Sequence, residues 1–478
     1  MGTIFAALGT AGNALSVLQQ AIGVVQNNVT NASVPGYVTQ TLSMVAGPFD
    51  SSQGVWGGVT AGSIQSARAV YAEQTVWRAN TQTGLATRQA ASLSALQDDF
   101  DVSGASGIAA GISGLNSAFS AWSANPTSAT ARQQVLSAAR TLGQAFNQAA
   151  TGVQQLRAQT DQQLSGTVTQ INQYASQIAA INGEIRQSGQ NDAGLQAQLY
   201  NTLEQLSNLA PIQVQTQSDG TATVLLGGQE ALVIGQTANA LKLSYIAPTG
   251  ATYPGATPDA TLLNSTGKNV TDLASGGQLG GLLQFRNQAL PSVLGDPTRQ
   301  GSLNQLAQGV ADSVNSLLTG GQVSAGPPPV SGTPLFSYAP GSPTAVATTL
   351  AVNPTSSAAN LAAIDPASGA ANGIASALAA LSTSQNPAYQ INGLSYTDFY
   401  SSIASDIGAQ AASASSAQTV QTQVLTQAQN LRAQLSGVSL NEQAVMLLQY
   451  QESYQASAQV ISTISNITQS LLAMFQNL

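Results

Sequence analysis

Asp98, Asp99 and Asp101 make the densest carboxylate cluster in the chain. Carboxylates this close could hold a divalent cation, but their spacing lacks the EF-hand loop pattern, and they read as a solvated helix end. The run Gly276-Gly277-Gln278-Leu279-Gly280-Gly281 suggests a phosphate cradle. It is not G-x-G-x-x-G and has no lysine nearby, so it reads as the lead-in to a helix. The 478 residues contain no His and no Cys. That removes Ser-His-Asp triads, cysteine nucleophiles, thiolate zinc sites and disulfides. No catalytic, cofactor-binding or metal-ligating residue is assigned, no cofactor is expected, and the chain reads as a non-enzyme. Trp56, Trp77 and Trp122 read as core or interface anchors.

Charge narrows the partners. Only 7% of residues are charged, against about 25% in an ordinary domain, and polarity comes from Gln, Asn, Ser and Thr instead. The net charge is −8, and the arginines are scattered singly beside two lysines, Lys242 and Lys268. A phosphate-binding surface needs clustered cations, so nucleic acid is not an expected partner. Low charge density weakens self-repulsion and favours dense self-association. The lack of thiols suits a protein outside the cell. No uninterrupted run of about 20 apolar residues is present, so no membrane span is expected. The first basic side chain is Arg68, so no secretory signal is readable.

The elements that position these residues are mostly helical. Ile4, Leu8, Ala11, Leu15, Leu18, Ile22, Val25 and Val29 alternate steps of four and three, a heptad seam. Pro35-Gly36 stops it, and residues 41–70 read as extended. A helix follows over about 70–100. Ile108 to Trp122, then Val135 to Ile185, continue the helical spacing on either side of Asn125-Pro126, where Thr127 or Ser128 can cap. Residues 211–265 read as strands with a turn at Asp219-Gly220. Helix returns over about 278–319. Residues 320–392 are rich in Gly, Pro, Ser and Ala with a short strand near 348–352. A last helical stretch runs from Ser395 to the end with a break at Ser436-Gly437. Near its end Val460, Ile461, Ile464, Ile467, Leu471, Leu472 and Phe475 form two adjacent seams, and no charge follows Glu452. A stripe that wide suits a helix with neighbours on more than one side.

The expected class is mainly α with a small β part: a helical rod or bundle with paired terminal helices. Residues 1–50 with 437–478 form a terminal-helix assembly unit, and 51–210 with 272–320 and 393–436 form the rod. Residues 211–271 form a small β-rich domain and 321–392 an outer segment. Burying a large apolar side chain contributes roughly 1.5–3 kcal/mol, whereas fixing each backbone residue costs about 1–2 kcal/mol. One seam cannot hold a helix of nearly thirty residues, so the ends are expected to be disordered in an isolated monomer and ordered by partners.

Asn27-Asn28-Val29-Thr30-Asn31-Ala32-Ser33-Val34-Pro35-Gly36-Tyr37 resembles the N-terminal signature of flagellar rod, hook and hook-associated proteins. Val34 and Val38 stand where Thr and Ser are usual. Gly437 to Gln443, Leu447 to Gln451 and Tyr454 to Ile461 resemble the C-terminal signature of the same axial proteins. Gly276 to Asn287 is similar to a segment of the hook-associated protein 1 family. The resemblance implies a structural ring connecting the hook to the filament side. It implies contacts with copies of itself, with hook protein and with a second junction protein. It also implies type III export without a cleaved signal, an extracellular place in the flagellum, and a cytoplasmic export chaperone at the C-terminal helix. The assembly interface is then Ile4, Leu8, Leu15, Leu18, Ile22, Val25 and Val29 with Leu447, Tyr454 and the C-terminal seams. Asn28, Pro35, Gly36 and Tyr37 form the turn motif that orients the inner helix. Two other readings are another axial component, of hook or rod type, and an axial scaffold displaying an adhesin domain. The long helical region 108–210 argues against the first.

Overall fold

The computed structural model describes residues 2–47, 49–50, 55–100, 106–188, 192–253 and 255–476. Helix α1 (Gly2–Asn31) leads through the Pro35-Gly36 turn into β1 (Gln40–Ala46), β2 (Phe49–Asp50), β3 (Val55–Trp56) and β4 (Val59–Ser66). β1 pairs antiparallel with β4, and β2 with β3 at the tip, so the four make one long hairpin.

The rod follows as α2 (Val70–Gln97), α3 (Gly107–Ala124), α4 (Ala129–Ser188) and α5 (Ala193–Leu209). Helix α4 has 60 residues, a length of about 90 Å at 1.5 Å per residue. Its start is set locally. Asn125-Pro126 interrupts the helical run, the Trp122 indole N–H donates to the Pro126 carbonyl at 3.2 Å, and the Ser128 hydroxyl accepts from the Ala131 N–H at 3.2 Å. Helix α5 begins where the Asp192 carboxylate accepts from the N–H groups of Gly194 and Leu195 at 2.9 and 3.0 Å, a side-chain N-cap.

Strands β5 (Ile212–Thr216), β6 (Ala222–Leu226), β7 (Glu230–Ile234) and β8 (Thr237–Ala238) form an antiparallel sheet in that order. The β5–β6 turn uses Asp219-Gly220, whose Asp219 side chain accepts from the Thr221 N–H at 3.1 Å. A second hairpin joins β9 (Lys242–Ile246) and β10 (Asp259–Leu263). Then come α6 (Gly277–Gln284), a π-turn over Phe285–Ala289, α7 (Leu290–Leu294) and α8 (Ser302–Gly320). The next stretch holds β11 (Gln322–Ser324), β12 (Val330–Ser331), β13 (Phe336–Ser337), α9 (Val346–Thr349), β14 (Ala351–Val352) and α10 (Gly373–Ala379). Finally α11 (Tyr396–Ser436) starts at Ser395, whose hydroxyl accepts from the Asp398 N–H, and α12 (Leu440–Gln476) follows the break at Gly437.

Two large apolar cores hold this together. One joins α3, the first half of α4, α7, α8 and the start of α11. The other joins the second half of α4 to α5, α6 and the β sheet. Residues 321–392, set apart on composition as an outer segment, contribute Leu335, Phe336, Leu350, Leu361 and Leu378 to the first of these cores. Their short strands are spaced by turns, but the apolar side chains between them converge on α8 and α3. Helices α2 and α11 pack along their length and run antiparallel: the Thr83 hydroxyl donates to the Gln421 carbonyl at 3.0 Å, and Arg432 meets Glu73.

Candidate assembly site at the base of the terminal helices

The two breaks in helical pattern, Pro35-Gly36 and Ser436-Gly437, lie against each other. The Thr39 N–H donates to the Ser436 carbonyl at 3.0 Å, and the Thr39 hydroxyl donates to the Gly437 carbonyl at 2.8 Å. The Ala69 N–H donates to the Ser436 hydroxyl at 3.0 Å. Helices α1 and α12 leave this point side by side. Asn28 meets Gln443 and Gln19 meets Tyr454, so one number rises as the other falls and the pair is antiparallel.

Asn28, fully buried at 0% exposure, is the hub. Its amide donates to the Gln40 carbonyl at 2.8 Å and to Gln443 Oε1 at 2.8 Å. Its carbonyl oxygen accepts from the Tyr37 hydroxyl at 3.0 Å and from the Gln40 N–H at 2.9 Å. A primary amide has two donor hydrogens and two acceptor lone pairs, and all four are used. No other side chain of this length offers that set, which explains an Asn inside a helix where propensity disfavours it. Burial raises the Tyr37 hydroxyl above its ordinary pKa, so it stays protonated and donates. The other Gln443 nitrogen, Nε2, is buried without a partner. Turning that amide over would set two donors face to face.

Gly36 fixes the approach of the turn. It has φ +79°, and a Cβ there would overlap the Ala197 carbonyl oxygen of α5. The left-handed region disfavours side chains, so backbone geometry and space both require glycine. Pro35 is exposed and supplies the helix stop.

Beneath the turn sits an ionic network. Arg68 pairs with Glu73 at 2.6 Å, and Arg432 pairs with Glu204 at 2.6 Å and Glu73 at 3.3 Å. Arg68 also donates to the Gly36 carbonyl at 2.6 Å and lies 3.8 Å from the Tyr200 ring centroid, a cation–π contact. Trp77 stacks behind Tyr200 at 5.7 Å. Glu73 is 1% exposed, and burial pulls the Arg68 pKa down although Glu73 partly restores it. Four charges from the turn, α2, α5 and α11 thus lock the terminal unit onto the rod. The sequence reading missed Arg68, Glu73, Glu204, Arg432 and Gln443. The available signal was scarcity: where 7% of residues are charged, each charge on an otherwise neutral helix is a candidate for pairing.

The seams take intermediate positions. Ile4, Leu8, Leu15, Leu18 and Ile22 are half-buried, Val25 is buried, and Val29 is 45% exposed. The fully buried line of α1 is Val17, Ala21, Val24, Val25 and Asn28, rotated from the heptad seam toward the hairpin. On α12, Leu447, Tyr454, Ile461, Ile464 and Leu471 are half-buried, while Val460, Ile467 and Leu472 are exposed. The Phe475 side chain lies outside the described residues. The three buried apolar clusters contain no residue of α1 or α12.

Other residues singled out on sequence have structural places. Asp98 caps α2, burial and then Asp98 raise the Asp99 pKa, and Asp101 lies outside the described residues. Among the described residues no three His, Cys, Asp or Glu side chains converge as metal ligands, and no helix is long and apolar enough to cross a membrane. The glycine run is a packing device: Gly277 has φ +68°, and a Cβ there would stand 2.5 Å from the Leu209 carbonyl. Beyond it the π-turn aims two successive side chains at α4 and β10. Arg286, 1% exposed, pairs with Asp161 at 2.7 Å, and Asn287 brackets Ala260 with two bonds of 2.8 Å. Trp77 and Trp122 are buried, and the Trp56 side chain lies outside the described residues.

A fold of paired terminal helices on a helical rod, with its chemistry spent on packing, defines a structural assembly subunit. Residues 93–336 match the family described as the flagellar hook-associated protein FlgK helical domain, and the chain belongs to that family. It is 27% identical over 325 residues to flagellar hook-associated protein 1 of Escherichia coli (strain K12), covering 65% of this chain and 56% of that protein. It is 24% identical over 503 residues to the protein of the same name from Bacillus subtilis (strain 168), covering 97% and 96%. The match therefore spans little more than half the length of the E. coli relative. A solved structure described as the flagellar hook junction protein FlgK from Burkholderia pseudomallei is 30% identical, covers 56% of this chain and 47% of that one, and superposes with a TM-score of 0.48.

Proposed function

We propose that this chain is a structural component of the bacterial flagellum, a ring that connects the hook to the filament side through its terminal helices. The observation that carries the reading is the Asn28–Gln443 bond, which joins the N- and C-terminal signatures, 415 residues apart, into one two-helix unit. Its partners are copies of itself, hook protein and a second junction protein. A cytoplasmic export chaperone covers the C-terminal helix before export, and the site of action is extracellular. Asn28, Pro35, Gly36 and Tyr37 orient the helix pair relative to the rod. The half-exposed seams of α1 and α12 are the assembly interface. Because neither helix enters a buried apolar core, order beyond the Asn28 hub is conditional on the ring. Hydrogen exchange on the purified chain is expected to find protection near 24–31 and 440–447 and none near 4–15 and 461–476. Deleting residues 440–478 is expected to leave a folded, soluble rod and abolish incorporation. A truncated chain that still supports filaments on hooks sinks the reading.

A further inference from the structure

Resting on that reading, we infer that the ring closes by seating the β1–β4 hairpin of one copy on the outward face of α12 of the next. Helix α1 stands between two free surfaces. On one side Thr10 touches the hairpin at Gly58. On the other Gln19 bonds Tyr454 of α12 at 3.2 Å. Nine residues are about two and a half helical turns, so the hairpin and α12 lie on opposite sides of α1.

Each outer surface is unpartnered and apolar. The hairpin exposes Met44, Val45 and Ile64, and a two-stranded hairpin is marginal in water without a covering partner. Helix α12 exposes Val445 at 65% and Leu448 at 62%, then Val460, Ile467 and Met474 at intervals of seven. Seven-residue spacing keeps a stripe straight along a packed helix. The lengths agree as well. Seven residues of β1 span about 23 Å at 3.3 Å each, and Val445 to Val460 span about 22 Å.

The occupant is fixed by charge. Residues 1–67 carry one charged side chain, Asp50, and none follows Glu452. A neutral apolar stripe discriminates against charged surfaces, which would lose water without gaining a counter-ion. The chain's own hairpin is the neutral surface of matching length. Two different patches on opposite sides also generate a head-to-tail contact, the kind that closes into rings.

The test uses the natural absence of cysteine. Ile64 and Leu448 both lie near the Asn28 end, so in a planar ring they face each other between copies. The double variant I64C/L448C is incorporated into hook–filament particles, oxidised, and run without reductant. A ladder of dimers, trimers and larger species is expected, with none from I64C or L448C alone. Dimers from L448C alone, an intramolecular bond only, or incorporated chains without a ladder overturn the inference. As a second measurement, I64D and L448D should each lower incorporation at least about tenfold while the purified chain keeps its Tm, and incorporation at the unsubstituted level overturns it. If the unsubstituted chain is absent from such particles, the proposed function fails instead.

Discussion

Replacing Asn28 by Ala tests the hub most directly. The change removes four hydrogen bonds at once. The Tyr37 hydroxyl is only partly buried and can turn to water. The Gln40 N–H and C=O and the Gln443 oxygen are buried and are left without partners. An orphaned buried polar group costs about 1–3 kcal/mol, so three of them favour opening the base by about 3–6 kcal/mol, allowing for partial relaxation. Because α1 and α12 add nothing to the buried apolar clusters, the loss appears as local opening and not as a lower global Tm. Hydrogen exchange with mass spectrometry should show protection across 24–31 and 440–447 falling by at least about a hundredfold, since 1.4 kcal/mol is tenfold. Asn28→Asp separates geometry from charge. It keeps the acceptor for Tyr37 and the Gln40 N–H but sets a carboxylate against two oxygens, so it should open the base at least as much. Unchanged exchange over 440–447 in N28A would refute the assignment of Asn28 as the hub.

Three further perturbations probe the same framework. Glu73→Gln leaves Arg68 buried beside a neutral amide, and breaking a buried pair costs about 3–5 kcal/mol, so chemical denaturation should show a clear loss of stability, where E204Q, at a more exposed pair, loses less. Gly36→Ala forces a side chain into φ +79° and onto the Ala197 carbonyl, so it should loosen the base by more than Pro35→Ala, read by exchange over 36–40. Burial, followed by Asp296, raises the Asp259 pKa. An acid raised on folding contributes most below its unfolded value of about 3.9, and that contribution is lost as pH rises through the folded pKa. Asp259→Asn should therefore gain stability relative to the parent at pH 7 and match it near pH 3, as measured by urea midpoints; the opposite pH trend contradicts the assignment.

Local pattern made much of this fold legible. The step-four, step-three spacing marked α1 and the rod helices because each helix faces a neighbour along one stripe. Ser128 and Ser395 marked helix starts through their hydroxyls, and Asn28 to Tyr37 marked the turn. Pairing across the chain was not legible. Arg432 bonds Glu204 from 228 residues away, and no local rule states which distant carboxylate an arginine meets. The buried line of α1 also turned from its heptad seam, because the hairpin covers a second face that periodicity does not weigh. Segment 321–392 was set outside because its glycines and prolines masked apolar residues that reach the core singly, with no period to detect.

The placement of charge has a consequence for assembly. Arg68 and Arg432 are consumed at the base of the terminal unit, and Arg157, Arg286 and Arg299 cluster with Asp161, Asp259 and Asp296 inside the rod. From 407 to 441 the sole charged side chain is Arg432, and it turns inward to Glu73 and Glu204. The surfaces left for contact between copies are therefore almost neutral. Charge-steered association weakens as the Debye length shrinks from about 10 Å at 0.1 M salt to about 3 Å at 1 M, whereas apolar burial does not, and sulfate strengthens it. Incorporation of purified chain onto isolated hooks should change less than about threefold between 0.1 and 1 M sodium chloride, given that no interfacial ion pair is there to screen. It should rise in sodium sulfate and weaken on cooling, as entropy-driven burial requires. A tenfold fall with sodium chloride would mean that charged groups outside the terminal helices carry the contact, and the apolar account of both the ring and its hairpin seat would fail together.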